Sequence, residues 1–347
     1  MPEAHAKSIL RVHRKIDSWF ISRYGLNLYR GCAHACAYCD GRADHYQAPE
    51  NFESDIEVKV NALEILEREL TRLLRKKSES AQLELFGGSE EQPRSALTPC
   101  DERNILLPHG MSTSGFLTMG GGVSDQYQPL EKQYELAHGV LQLCLRLHIP
   151  VHILTKSTLV LRDIDLLREI NAQTRAVVSI SLSTVDPAIA AIVEPGAPPP
   201  QERLAMFKEL HAAGIACGVF LLPVLPFLSD TPAAIEESIA ASAQAGARYL
   251  LFGGLTLKPG RQADHYLHCL ERRWPAAAHT TRTLFRNADK YGMPHMREAH
   301  EARERWRTAQ QAADAAITRH GLARRMPPEI FTDILNQEDK KILRKYL

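Results

Sequence analysis

Between about residues 20 and 260, short and uniformly apolar runs alternate with stretches of helical periodicity. That alternation marks parallel βα units whose strands are covered on both faces. The apolar runs are 25–29, 115–119, 150–155, 176–182, 216–223 and 248–253. Helical patterns fall between them at 130–147, 163–171, 200–213 and 231–245, the last two closed by Gly214 and Gly246, the residue type favoured at helix C-terminal caps. Six such units predict an α/β fold, a curved and partly open (β/α)6 barrel of TIM type. Reactive groups in parallel barrels collect at the C-terminal ends of the strands, so the residues just after each run are the ones to examine.

Three segments fall outside this alternation. Residues 1–19 read as an N-terminal extension ahead of the barrel at 20–260. Residues 76–114 are rich in Ser, Glu, Gly and Pro without sustained periodicity, which predicts a flexible loop insertion. Residues 261–347 read as a helical C-terminal extension, with helical composition at 298–317, a break at Pro327 and Pro328, and a short basic amphipathic end carrying Lys340, Lys341, Arg344 and Lys345.

Composition changes this picture little. With 347 residues and 44% hydrophobic content, the chain can bury a large core, and a formal net charge of +1 lends no support to a polyanionic partner. No run approaches eighteen apolar residues, and the opening Met1-Pro2-Glu3-Ala4-His5-Ala6-Lys7 lacks the apolar centre of a signal peptide. A cytoplasmic protein with no membrane association is expected.

Candidate chemistry enters with the cysteines. Cys32, Cys36 and Cys39 form a C-x3-C-x2-C triad directly after the first strand. Iron–sulfur clusters are held by cysteine thiolates, and a four-iron cluster takes four ligands. Three clustered cysteines therefore leave one iron open to an outside ligand. A zinc knuckle completed by His34 or His45 is the competing reading, weakened by the absence of a second C-x2-C pair. Cys144 and Cys217 sit in apolar runs and read as small buried hydrophobes; Cys100 and Cys269 stand alone.

Further along, Val123-Ser124-Asp125-Gln126-Tyr127-Gln128-Pro129, Ile153-Leu154-Thr155-Lys156-Ser157, Ser181-Leu182-Ser183-Thr184-Val185-Asp186 and Glu194-Pro195-Gly196-Ala197-Pro198 follow in order, with Arg203 beyond. Together with the cysteine loop these motifs resemble the radical S-adenosylmethionine superfamily, and within it the spore photoproduct lyase-like branch. The resemblance implies a [4Fe-4S] cluster on Cys32, Cys36 and Cys39, with S-adenosylmethionine (SAM) chelating the open iron and yielding a 5′-deoxyadenosyl radical. It implies Tyr38 beside the adenine, Ser124 and Asp125 on the methionine ammonium, Lys156 on its carboxylate, and Ser181 as a further contact. Ser183 competes with Ser181 because strand alternation puts both on one face. Gly120, Gly121 and Gly122 would let backbone approach the cofactor closely. Arg30, Arg203 and Glu194 read either as ligand contacts or as a buried ion pair joining two loops, whereas Asp40, His34 and His45 read as solvated loop residues or caps. An electron donor such as a flavodoxin or ferredoxin is implied as partner.

Two features qualify the resemblance. The branch's namesake carries a hydrogen-donating cysteine just before the Ser-Asp pair, where this chain has Gly122. Reversal of a thymine dimer is thereby put in doubt, and DNA is suggested as substrate only by analogy. In addition, Gln82, Leu83, Leu85 and Phe86 form a Q-L-x-L-F peptide of the type that binds the sliding clamp. This leaves an alternative function, a DNA-repair accessory protein with a structural or redox-sensing cluster, recruited through that peptide.

Overall fold

The computed structural model describes residues 3–85, 114–294 and 300–344, apart from the side chains of 76–85 and 301. Its main sheet has seven strands: β1 (Leu10–Asp17), β2 (Ser22–Leu26), β3 (Leu117–Met119), β4 (Val151–Thr155), β5 (Ala176–Leu182), β6 (Ala216–Val224) and β7 (Tyr249–Gly254). They lie side by side in sequence order. From β2 to β7 every pairing is parallel. These six strands form the predicted α/β half-barrel. Every residue of β4 and β5 is buried, because helices cover one face of the curled sheet and the barrel interior the other.

The helices follow the apolar spacing with local interruptions. The pattern at 130–147 is divided by Glu135, whose φ of 48° breaks the chain into a short turn and α2 (Leu136–Arg146). The first helix, α1 (Ala62–Leu85), runs ten residues into the stretch expected to be a loop insertion from residue 76. Gln82, Leu83 and Leu85 end this helix; Phe86 and Cys100 lie outside the described residues. Among the described residues no helix is long and apolar enough to cross a membrane.

Segments near both ends of the described chain pack against the half-barrel. The first nineteen residues, expected as an extension, supply β1, which pairs antiparallel with β2 and extends the sheet by one strand. At the other end, Met326, Ile330, Phe331, Ile334, Leu335 and Leu343 pack with Ile16, Phe116, Val177, Phe220 and Tyr249 in one apolar cluster. This segment closes the lower mouth of the half-barrel. It is pinned by Asp339, fully buried on the last helix, which accepts a forked pair of bonds from Arg23 of β2 at 2.9 and 2.5 Å. Of the basic end seen in the sequence, Lys341 and Arg344 are exposed and Lys340 is half-buried, while Lys345 lies outside the described residues.

Inside the barrel, a polar layer joins three strands. His152 Nε2 lies 2.8 Å from the Ser179 hydroxyl, which is 2.7 Å from the Tyr249 hydroxyl. Phe20, Phe116 and Phe220 surround the imidazole. Burial lowers the His152 pKa from 6.5 to about 4, outweighing its bond to the Phe20 carbonyl. The unfolded chain therefore binds the proton that the folded chain refuses, and stability falls as pH drops from about 6.5 toward about 4. Urea unfolding at pH 5 is expected to show about 2 kcal/mol less stability from this group than at pH 7.5. His152→Leu should flatten that part of the pH profile.

Candidate active site

The residues singled out by sequence gather at one place. A cavity of about 290 Å³ at the C-terminal end of the strands is lined by Cys32, Cys36, Cys39, Tyr38, Ser124, Asp125, Lys156 and Ser181, all eight of them. Their sources are spread along the sheet: the cysteine loop follows β2, Ser124 and Asp125 follow β3, Lys156 follows β4, and Ser181 lies near the end of β5. Phe20, Phe220 and Leu222 complete the wall with apolar surface.

The cysteine loop is held by contacts that no local pattern announces. The Cys32 amide donates to the Phe52 carbonyl at 3.0 Å, and the Ala37 amide to the Val193 carbonyl at 2.8 Å. Gly196 packs so closely that a Cβ there would stand 2.0 Å from the Ala33 carbonyl oxygen. Only glycine permits that approach, which explains the glycine of the Glu194-Pro195-Gly196 motif. Gln128 accepts from the Ala33 amide at 2.9 Å, and Gln262, from beyond the barrel, donates to the Tyr38 carbonyl at 2.9 Å. The three cysteines are free. Burial raises the pKa of each, that of Cys36 to about 12, so all three are neutral thiols in the unligated chain.

Asp125 and Lys156 bring opposite charges to the cavity from the ends of neighbouring strands. The Asp125 carboxylate accepts from the Tyr127 amide at 2.9 Å, the Thr155 hydroxyl at 2.8 Å and the Lys156 amide at 2.8 Å. Burial opposes its ionisation, but His34 and these donors outweigh burial and hold the carboxyl at about 2. Lys156 Nζ donates to the Ser181 hydroxyl at 2.8 Å and lies 5.7 Å above the Tyr38 ring. Burial would lower its pKa, yet the negative groups around it raise it overall, so the ammonium is retained. Ser124 is buried, its hydroxyl donating to the Tyr29 carbonyl at 3.2 Å.

Several alternatives left open by the sequence separate here. Ser181 reaches the cavity; Ser183 lies behind it, bonded to Glu194 at 2.9 Å. Glu194 and Arg203, each about 1% exposed, form an ion pair at 2.5 Å. Tyr38 donates its hydroxyl to the same carboxylate. This is the loop-joining pair rather than a ligand contact. Arg30 is half-exposed and pairs with Glu57. His34, read as a solvated loop residue, is instead 2% exposed, with Nε2 3.3 Å from Asp125 and Nδ1 3.1 Å from the Gly196 carbonyl. Its partners lie about 90 and 160 residues downstream, so nothing local could reveal its burial. Asp40 pairs with Lys258, another contact invisible to local pattern.

Comparison with known proteins agrees with this geometry. The model of the radical SAM superfamily matches residues 107–239. An uncharacterized protein of Mycobacterium tuberculosis is 31% identical over 280 residues, covering 80% of this chain and 71% of the relative. A second, from Methanocaldococcus jannaschii, is 31% identical over 153 residues, 44% of this chain and 54% of the relative. The chain belongs to the radical SAM superfamily and is an enzyme of that class. Its fold is similar to that of spore photoproduct lyase complexed with dinucleoside spore photoproduct, with a TM-score of 0.52 at 16% identity over 93% of this chain and 79% of that one. Membership of the superfamily implies an iron–sulfur cluster and SAM.

Proposed function

We propose that the chain is a spore photoproduct lyase-like radical SAM enzyme that holds one [4Fe-4S] cluster through Cys32, Cys36 and Cys39 and acts on a nucleic-acid substrate. The observation carrying this reading is the convergence of eight residues, drawn from four separate motifs, on one cavity. Among the described residues no three His, Cys, Asp or Glu side chains gather tightly enough for a single metal ion. The thiols instead share a cavity wall, an arrangement that suits a cluster presenting several irons better than a zinc ion.

When bound, the reduced cluster and SAM supply a 5′-deoxyadenosyl radical; the chain's residues position the cofactor and exclude water. Asp125, anionic at any physiological pH, suits the methionine ammonium. Lys156 suits the methionine carboxylate, its ammonium aimed by Ser181. Ser124 is a further polar group at the Asp125 end, and Tyr38 offers a ring face to the adenine. Phe20, Phe220 and Leu222 keep the cavity wall dry. A one-electron donor of the flavodoxin or ferredoxin kind would serve as reductant, in a cytoplasm reducing enough to keep the thiols free.

Gly122 lines the cavity, and nothing lies within 4 Å of where a Cβ would stand. No thiol therefore stands at the position where the branch's namesake carries its hydrogen-donating cysteine. The test of the reading is anaerobic reconstitution with iron and sulfide, then dithionite and SAM. Iron near four per chain and formation of 5′-deoxyadenosine are expected. A loaded cluster that leaves SAM intact would overturn it.

A further inference from the structure

His34 stands inside the cysteine loop, between Cys32 and Cys36, where it lines the cavity and is 2% exposed. It is tied to Gly196 at two points. Its backbone carbonyl accepts from the Gly196 amide at 3.1 Å, and its ring Nδ1 lies 3.1 Å from the Gly196 carbonyl. A carbonyl can only accept, so Nδ1 is the donor of that bond. With the backbone and one ring nitrogen both fastened, the place of the other nitrogen is set.

That nitrogen, Nε2, lies 3.3 Å from Asp125 Oδ2. It is buried and has no aligned hydrogen-bond partner, so it meets the carboxylate as an electrostatic neighbour at the cavity wall. Asp125 is otherwise held from its own segment and from the end of β4. Oδ1 accepts from the Tyr127 amide at 2.9 Å and the Thr155 hydroxyl at 2.8 Å, and Oδ2 from the Lys156 amide at 2.8 Å. His34 is the member of the cysteine loop placed against this carboxylate. The carboxylate has reason to turn away from that loop, because the Cys32 thiol is raised by burial and then by the Asp125 charge. A thiolate on Cys32 repels it. Between the Lys156 amide and the His34 ring, Oδ2 is kept facing the cavity.

We propose that His34 is a positioning residue of the cofactor site: it holds Asp125 in the orientation that receives the methionine ammonium, and so makes cofactor affinity depend on the loop that carries the cluster ligands. This rests on the proposed assignment of Asp125 to the ammonium and adds a residue to it. His34 acts through Asp125, which separates it from a histidine that merely stiffens the loop.

The test uses the anaerobically reconstituted holoenzyme, left oxidised so that SAM is not cleaved, titrated with SAM and with the analogue lacking the amino group. Wild type should bind SAM at least about tenfold more tightly than the analogue. His34→Asn keeps a donor for the Gly196 carbonyl and removes Nε2. It should weaken SAM binding by about tenfold while affinity for the analogue, iron content and melting temperature stay unchanged. His34→Gln brings a polar atom near the Nε2 position and should keep part of the preference for SAM. In an Asp125→Asn background His34→Asn should have no further effect, since a residue acting through another is silent once that other is gone. A purely structural histidine would weaken both ligands alike and lower the melting temperature in either background. Full preference for SAM in His34→Asn would overturn the proposal, as would additive losses in the double variant. If Asp125→Asn also left the preference intact, the ammonium assignment would fall with it; if Asp125→Asn removed the preference and His34→Asn did not, the inference about His34 would fall alone.

Discussion

Cys32→Ala, Cys36→Ala and Cys39→Ala are each expected to abolish 5′-deoxyadenosine formation and drop iron to background, while leaving the fold intact. The three side chains line the cavity and are neutral without a ligand, so their loss removes donors without stranding a charge. Two of the other described cysteines provide the contrast. Cys144 and Cys217 are fully buried in the apolar core, each with its pKa raised by burial alone. Cys144→Ala and Cys217→Ala should therefore keep their iron and lose about 1 kcal/mol of stability through the small cavity left behind. Iron content with thermal melting across all five variants checks both halves. Full iron in any triad variant would refute the cluster assignment.

The largest stability effect is expected at Glu194. Removing its carboxylate strands the Arg203 guanidinium at 1% exposure and takes the acceptor from Tyr38 and Ser183. Breaking a buried pair in this way costs about 3–5 kcal/mol, a large share of the 5–15 kcal/mol typical of a folded domain. Glu194→Ala should thus unfold at much lower urea concentration and give low soluble yield. Arg203→Ala should be comparably damaging, since it leaves a buried anion. Removing both together should cost less than the sum, because neither charge is left alone. A urea double-mutant cycle measures this, and simple additivity would show that the pair is not coupled. The same pair supports the cavity: Glu194 holds Tyr38, and Arg203 donates to the Ser181 carbonyl at 3.1 Å.

The parts of this structure that sequence reveals are those set by neighbours in the chain. The six parallel strands and the helices ending at Gly214 and Gly246 follow from apolar runs and caps, and the cavity residues follow from motifs at strand ends. What stayed hidden depends on distant partners. β1 reads Leu10-Arg11-Val12-His13-Arg14-Lys15-Ile16-Asp17, too polar to announce a strand, because it is an edge with only Ile16 buried. Ile330, Phe331, Ile334 and Leu335 belong to short turns without period, and only the barrel mouth they fill gives them meaning. His34 looks like any polar loop residue until Gly196 and Asp125 close over it. In each case the missing information is a contact across a long stretch of chain.

The fastenings of the cysteine loop also set an order of events during synthesis. The thiols leave the ribosome early, but Val193, Gly196 and Gln262, which hold their loop, emerge roughly 160 to 230 residues later. At common elongation rates of about 5–20 residues per second, that interval lasts on the order of ten seconds or more. Throughout it the three thiols ride on a loop whose distant fastenings have not yet been made. A chain halted before residue 262 therefore carries the three thiols without all of the contacts that shape their loop.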